Sequence, residues 1–145
     1  MFGVKVREIE YGAFNMLRSL ALGQLVELYY SPVFFIEIIA KTAREKEKRR
    51  NGPILGEIAD TIKAVEEAEY MKPANPDPQA YSLAYKMRLL GHKDTINNIL
   101  YATATTRNLA FLTIDQKLKE FIEKKNIKRA TTMSHIELFK ITSSR

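Results

Sequence analysis

Apolar residues recur at helical spacing through residues 12–22, at Phe14, Met16, Leu17, Leu20 and Ala21, and Gly23 is placed to close that helix in a left-handed conformation. Leu25 to Tyr30 is a short β-prone run, and Ser31-Pro32 then reads as the cap and first turn of a helix reaching Asn51-Gly52-Pro53. A further helix is expected over 54–70. Lys72 to Pro78 holds three of the five prolines and predicts an irregular loop. Helical spacing returns over 79–90, ending at Gly91, and again over 94–107, with Ile96, Ile99, Leu100 and Ala104 as the apolar face. Tyr81 and Tyr85 fall in the first of these and read as core. Ala110 to Ile114 predicts a strand, and Asp115 caps an amphipathic helix that turns Leu118, Phe121 and Ile122 inward. An edge strand over 127–130 and a short helix over 134–139 complete the pattern. Strands alternating with helices require right-handed crossovers, so the expected class is an α/β, doubly wound parallel sheet, which binds ligands at the carboxyl ends of its strands.

Length adds that the 145 residues form one domain, at roughly 150 residues each. The chain has no cysteine, which excludes disulfides, thiolate metal sites and a cysteine nucleophile. Its longest apolar runs, 33–36 and 38–40, fall far short of the ~20 residues of a spanning helix, so a cytoplasmic protein with no membrane partner is expected. The net charge of +6 is uneven: residues 41–50 and 116–129 are each +4 and the remainder is −2. Such segments suit a polyanion, and equally a solvated helix face.

Several polar residues fall where this class of fold presents ligands. Glu37 interrupts the apolar run VFFIEIIA, so it either lines a cleft or pairs with Lys41 one turn on. Asp115 follows a strand directly and can serve as helix cap, as site residue, or as both, beside Thr113. Asp94 has the same two readings. Asn97 and Asn98 are unusual inside an otherwise apolar helix, because asparagine is a poor helix former. His92 and His135 lack metal-ligand spacing. No GxxxxGK[ST], GxGxxG or GxSxG motif is present, which argues against a nucleotide binder on an unrelated doubly wound sheet.

Two segments together resemble the PIN domain of metal-dependent ribonucleases, from about residue 12 onward. SPVFFIEI (31–38) looks like that family's strand-end serine followed by an acid. DTINNILYATATTRNLAFLTID (94–115) is similar to its helix ending in Ala-x-Ala, then a strand ending in Thr-x-Asp. The resemblance implies a three-layer α/β/α sandwich with acids gathered around Mg2+ or Mn2+, hydrolysing RNA phosphodiesters. It implies Glu37, Asp94 and Asp115 as catalytic residues, and Glu37, Asp94, Asn97 and Asp115 as metal ligands, with Thr113 and Asn98 in support. Lys41, Arg44, Lys48, Arg49, Lys117 and Lys119 would hold RNA. The partners implied are RNA, an antitoxin or other protein, and a second copy in a homodimer.

Two departures stand against that pattern. Register from Ala102-Thr103-Ala104 and from Asp115 puts Asn97 where the family has an acid, with Asp94 a turn earlier as substitute. The family's first strand, ending in Asp, would fall at or before Met1, whereas the first Asp here is Asp60. Phe2 to Ile9 reads as a half-exposed strand, with Glu8 and Glu10 as its carboxylates. The expectation is therefore a domain truncated or divergent at its N-terminus. Its alternative function is a degenerate domain that binds RNA or protein without cutting.

Overall fold

A computed structural model of the chain describes residues 11–49, 55–127 and 130–144. The strand expected over Phe2–Ile9, with Glu8 and Glu10, lies outside them. The described elements run α1 (Tyr11–Leu22), β1 (Leu28–Tyr30), α2 (Val33–Arg49), α3 (Leu55–Glu67), β2 (Met71–Pro73), α4 (Pro78–Leu89), α5 (Thr95–Thr106), β3 (Phe111–Leu112), α6 (Gln116–Lys124), β4 (Thr132–Met133) and α7 (His135–Ser143). The fold is mixed α/β, mostly helical, with short parallel strands. The described strands hydrogen-bond in two pairs: β1 with β2, opposing Leu28 to Met71, and β3 with β4, opposing Phe111 to Thr132.

The helices end where local chemistry stops them. Asp77, Asp94 and Asp115 each accept a backbone N–H of their own first turn, and Ser134 forms a reciprocal capping box with Glu137. At the other end of α4, Gly91 adopts a φ of 112° while His92 N–H reaches back to the Met87 carbonyl at 3.1 Å. Helix α1 closes with the same bond pattern, but the left-handed residue is Gln24, at φ 58°, and not Gly23 as expected. Leu25 N–H bonds the Leu20 carbonyl at 3.0 Å, and this turn delays β1 until Leu28.

Burial centres on α5, whose Leu100, Tyr101 and Ala104 pack with Met87 of α4, Phe111 of β3, and Leu118 and Ile122 of α6. Tyr101 is edge-on to Phe111 at 5.8 Å, and its hydroxyl accepts from Ala130 N–H at 3.1 Å. Each leucine, isoleucine, methionine or phenylalanine among them contributes about 1.5–3 kcal/mol through burial. Successive strand residues point to opposite faces. Accordingly Phe111 enters this cluster, while Leu112 enters a second one with Leu17 of α1, Leu28 and Tyr30 of β1, and Met71 of β2. Strand β3 is thus covered on both faces, as buried parallel strands are.

Three expectations are corrected. Lys72 and Pro73 belong to strand β2, not to a loop. Pro73 is its last residue and opposes Tyr30, whose carbonyl takes Ala74 N–H at 2.7 Å, so this parallel pairing asks no N–H of the proline. Of the edge strand expected over 127–130, positions 128–129 lie outside the described residues and Ile127 instead closes α6 by bonding the Ile122 carbonyl at 3.2 Å; the last described strand is Thr132–Met133. Tyr81 and Tyr85 are exposed, since α4 turns Ala80 and Ala84 to Ala102 of α5.

Candidate functional site

The residues that follow β1 and β3 are polar. Ser31 follows β1 and Thr113 follows β3, both fully or almost fully buried. Thr113 N–H bonds the Met133 carbonyl at 2.9 Å, which extends the β3–β4 ladder by one step, and its hydroxyl accepts Asp115 N–H at 3.0 Å. Asp115 is held in a fixed direction as a result.

Each of two carboxylates has one oxygen committed to a helix start and the other turned toward the same amide. Asp115 Oδ1 accepts Leu118 N–H at 3.1 Å, and Asp94 Oδ1 accepts Asn97 N–H at 3.1 Å. Asn97 Nδ2 then donates to Asp94 Oδ2 at 3.0 Å and to Asp115 Oδ2 at 3.4 Å. The amide thus lies between the two carboxylates, joining Asn97 to a residue 18 further along the chain. Both carboxylates also lie at helix amino ends, where the partial positive charge favours anions. Their cap and site readings are therefore compatible.

Asn98 points elsewhere. It is fully buried, its Nδ2 donates to the His92 carbonyl at 2.8 Å, and its Oδ1 lies 2.5 Å from His92 Nδ1. An amide oxygen only accepts, so Nδ1 carries the proton in this pairing. The His92 ring in turn packs on Phe121 of α6, centroids 5.0 Å apart. Asn98 and His92 thereby tie the α4–α5 turn, which carries Asp94, to both α5 and α6. The sequence showed both residues but nothing of their pairing.

Glu37 lies one turn beyond Val33, which packs against the α5 cluster, so it shares the α5-facing side of α2. Its side chain is only 14% exposed and forms an ion pair with Lys41. No hydrogen bond joins it to Asp94, Asn97 or Asp115 among the described residues, and no three of His, Cys, Asp and Glu there are grouped to hold a metal ion. Arg44 donates to the Ala40 carbonyl of its own helix at 3.2 Å, and Lys48 is exposed. Arg49 ends α2, and its side chain lies outside the description. Lys117 is exposed on the first turn of α6 and Lys119 is partly so. A residue passed over in the sequence is His135, at the carboxyl end of β4, whose Nδ1 is buried without a hydrogen-bond partner among the described residues. A cavity of about 130 Å³ lined by Thr105, Asn108 and Thr131 lies at the opposite, amino end of β3, away from the acids.

Among the described residues, no helix is long and apolar enough to cross a membrane. The chain matches no protein-family model, no curated protein and no solved structure.

Proposed function

We propose that the chain is a PIN-like endoribonuclease, a three-layer α/β/α sandwich that hydrolyses RNA phosphodiesters with Mg2+ or Mn2+ and acts as the toxin of a toxin–antitoxin pair. The layered reading is supported by β3, which buries Phe111 and Leu112 on opposite faces. The observation that carries the function is the convergence of Asp94 and Asp115 on Asn97 at the carboxyl end of β3. Two carboxylates form a hard donor set, to which Asn97 would add its oxygen on turning its amide, and Mg2+ is commonly held by one or two carboxylates with substrate phosphate completing its shell. Bound there, the ion would supply Lewis-acid stabilisation of charge on the phosphate.

The chain's own residues do the rest. Asp94 and Asp115 would hold the ion, Thr113 keeps Asp115 in place, and Asn98 with His92 positions the turn bearing Asp94. Lys117 and Lys119, within a turn of Asp115, hold phosphates. Arg44, Lys48 and Arg49 extend that role along α2, whereas Lys41 and Glu37 engage each other. The test is RNA cleavage by the full chain with Mn2+. Asp115→Asn, which keeps the shape and the cap, should reduce cleavage to background; cleavage that survives the change would refute the assignment.

One observation favours a second reading, in which the same fold binds RNA or a protein without cutting. Asn97 already satisfies both acids, and Glu37 is already neutralised by Lys41. Calorimetry with Mn2+ separates the two readings, since a non-cutting domain should take up no ion.

A further inference from the structure

Between Asp77 and Asp94 the chain carries no acid and three cations, Lys86, Arg88 and Lys93. The turn from α4 to α5 fixes two of them beside the acid pair. Gly91, at a φ of 112°, lets His92 N–H return to the Met87 carbonyl, and the buried Asn98 amide holds the His92 carbonyl at 2.8 Å. The Arg88 guanidinium then donates to the Lys93 carbonyl, whose peptide link leads directly into Asp94. That bond uses one of several N–H groups in a planar fork, so the guanidinium is held next to the Asp94 backbone with donors to spare. Arg88 and Lys93 are both exposed, and neither forms an ion pair among the described residues.

We propose that Arg88 and Lys93 form a second phosphate grip, which takes the backbone of a single-stranded RNA at the Asp94 end of the acid pair while Lys117 and Lys119 take it at the Asp115 end. The inference rests on the reading in which RNA reaches these acids, and it adds the path of the strand, from the first turn of α6 across both acids to the α4–α5 turn. The Asn97 bridge carries the placement. Its amide donates to Asp94 Oδ2 at 3.0 Å and to Asp115 Oδ2 at 3.4 Å, so the two acids lie side by side. Lys93 directly precedes the first acid and Lys117 lies two residues past the second, so each acid brings its own cations.

Electrostatics favours a grip at both ends. Two carboxylates repel an approaching phosphodiester, and a strand held at α6 alone would carry its next phosphates past Asp94 with nothing positive to meet them. Arg88 suits that position better than a free lysine would. A guanidinium already fixed by the protein matches two phosphate oxygens and loses little side-chain entropy on binding. A strand gripped on either side of the acids is gripped internally, so the substrate class is an internal phosphodiester of a single strand, with phosphates on each side of it, rather than a free end.

The test is binding by the full chain carrying Asp115→Asn to a short single-stranded RNA in which one phosphate at a time is replaced by an uncharged methylphosphonate. Two groups of positions should weaken binding when neutralised. Lys93→Gln, whose side chain makes no hydrogen bond among the described residues, should silence part of one group and flatten the log–log salt slope by about 0.7, one contact's worth. Adding Arg88→Gln should silence the whole of that group, flatten the slope by about 1.4 and weaken binding about tenfold at low salt. Lys117→Gln with Lys119→Gln should silence the other group. Lys86→Gln makes the same change of charge about 200° around α4 from Arg88, and should alter neither group. Both pairs silencing the same phosphates, a Lys93→Gln slope equal to that of the parent, an equal effect from Lys86→Gln, or a chain that binds no RNA would each overturn the grip. Cleavage is read separately: a parent chain that fails to cut with Mn2+ while the two groups of phosphates persist would refute the nuclease reading and uphold the grip.

Discussion

Asn97 is the residue on which the site turns. Two carboxylates directed at one point repel each other unless something positive lies between them, and here two amide protons fill that place. Asn97→Asp removes both donors and adds a third negative charge in a partly buried setting. Without divalent ions the variant should lose roughly 2–3 kcal/mol, the scale of hydrogen bonds to charged groups. In a domain of this size that is a fall in Tm of about 4–10 °C. Mn2+ should then raise the variant's Tm well above the gain of the parent chain, because ions that bind only the folded state stabilise it by mass action. Thermal melts with chelator and with Mn2+ check both halves, and a variant indifferent to both would show that Asn97 does not join the acids. Asn97 and Asp115 could be singled out from sequence, one as an amide inside an apolar helix and the other directly after a strand, although their hydrogen bond could not. The role of Glu37 could not be read, since a cleft acid and an i,i+4 partner of Lys41 share one spacing, and only packing could show that Lys41 has taken it.

Whole elements were legible where a cap and a periodicity coincide. Helix α4 could be read from its periodicity and Gly91, α5 from its periodicity and Asp94, and α6 from its Asp115 cap, whereas Asp77, which caps α4, fell in the expected loop. Strand β2 could not be read, because three residues containing a proline give no alternation to read and its stability comes from β1, distant in sequence. The reading of Tyr81 and Tyr85 as core failed for a different reason: both sides of α4 are apolar in sequence, and only packing shows that the small Ala80 and Ala84 side is the one that meets α5. The β1–β2 pairing also carries an exposed charge cluster, in which Lys72 Nζ bonds Glu27 Oε1 at 2.8 Å and Tyr29 hydroxyl donates to Glu27 Oε2 at 2.8 Å. The Lys72 hydrogen bond, then that of Tyr29, hold the Glu27 carboxyl below its ordinary value of 4.5. A depressed carboxyl contributes stability that is present above its ordinary value and lost as pH falls through the lowered one. Glu27→Gln should therefore be slightly less stable than the parent chain at pH 6, and the gap should close on acidification below 4.5. Melts of the two chains across that range measure it, and a gap that widens toward low pH would contradict the assignment.

For the molecule as a whole, the two basic segments are equal in formal charge but not in what the fold leaves available. On α2, Lys41 is engaged by Glu37, whereas Lys117 and Lys119 on α6 enter no ion pair among the described residues and stand within a turn of Asp115. A polyanion drawn toward the acid pair should therefore be held first by α6. Each phosphate contact to a single strand releases counterions and steepens the fall of affinity with salt by about 0.7 in the log–log slope. With Asp115→Asn to prevent cleavage, replacing Lys117 and Lys119 together by alanine should flatten that slope by about 1.4, two contacts' worth, and weaken binding most at low salt. Lys41→Ala should change the slope little, because its charge is already neutralised within α2. Titrations of a labelled single-stranded RNA over a potassium chloride series read both variants directly. Equal effects from α2 and α6, or a slope untouched by the α6 pair, would mean that RNA does not approach across the start of α6, and the nuclease reading would lose the surface that brings substrate to its acids.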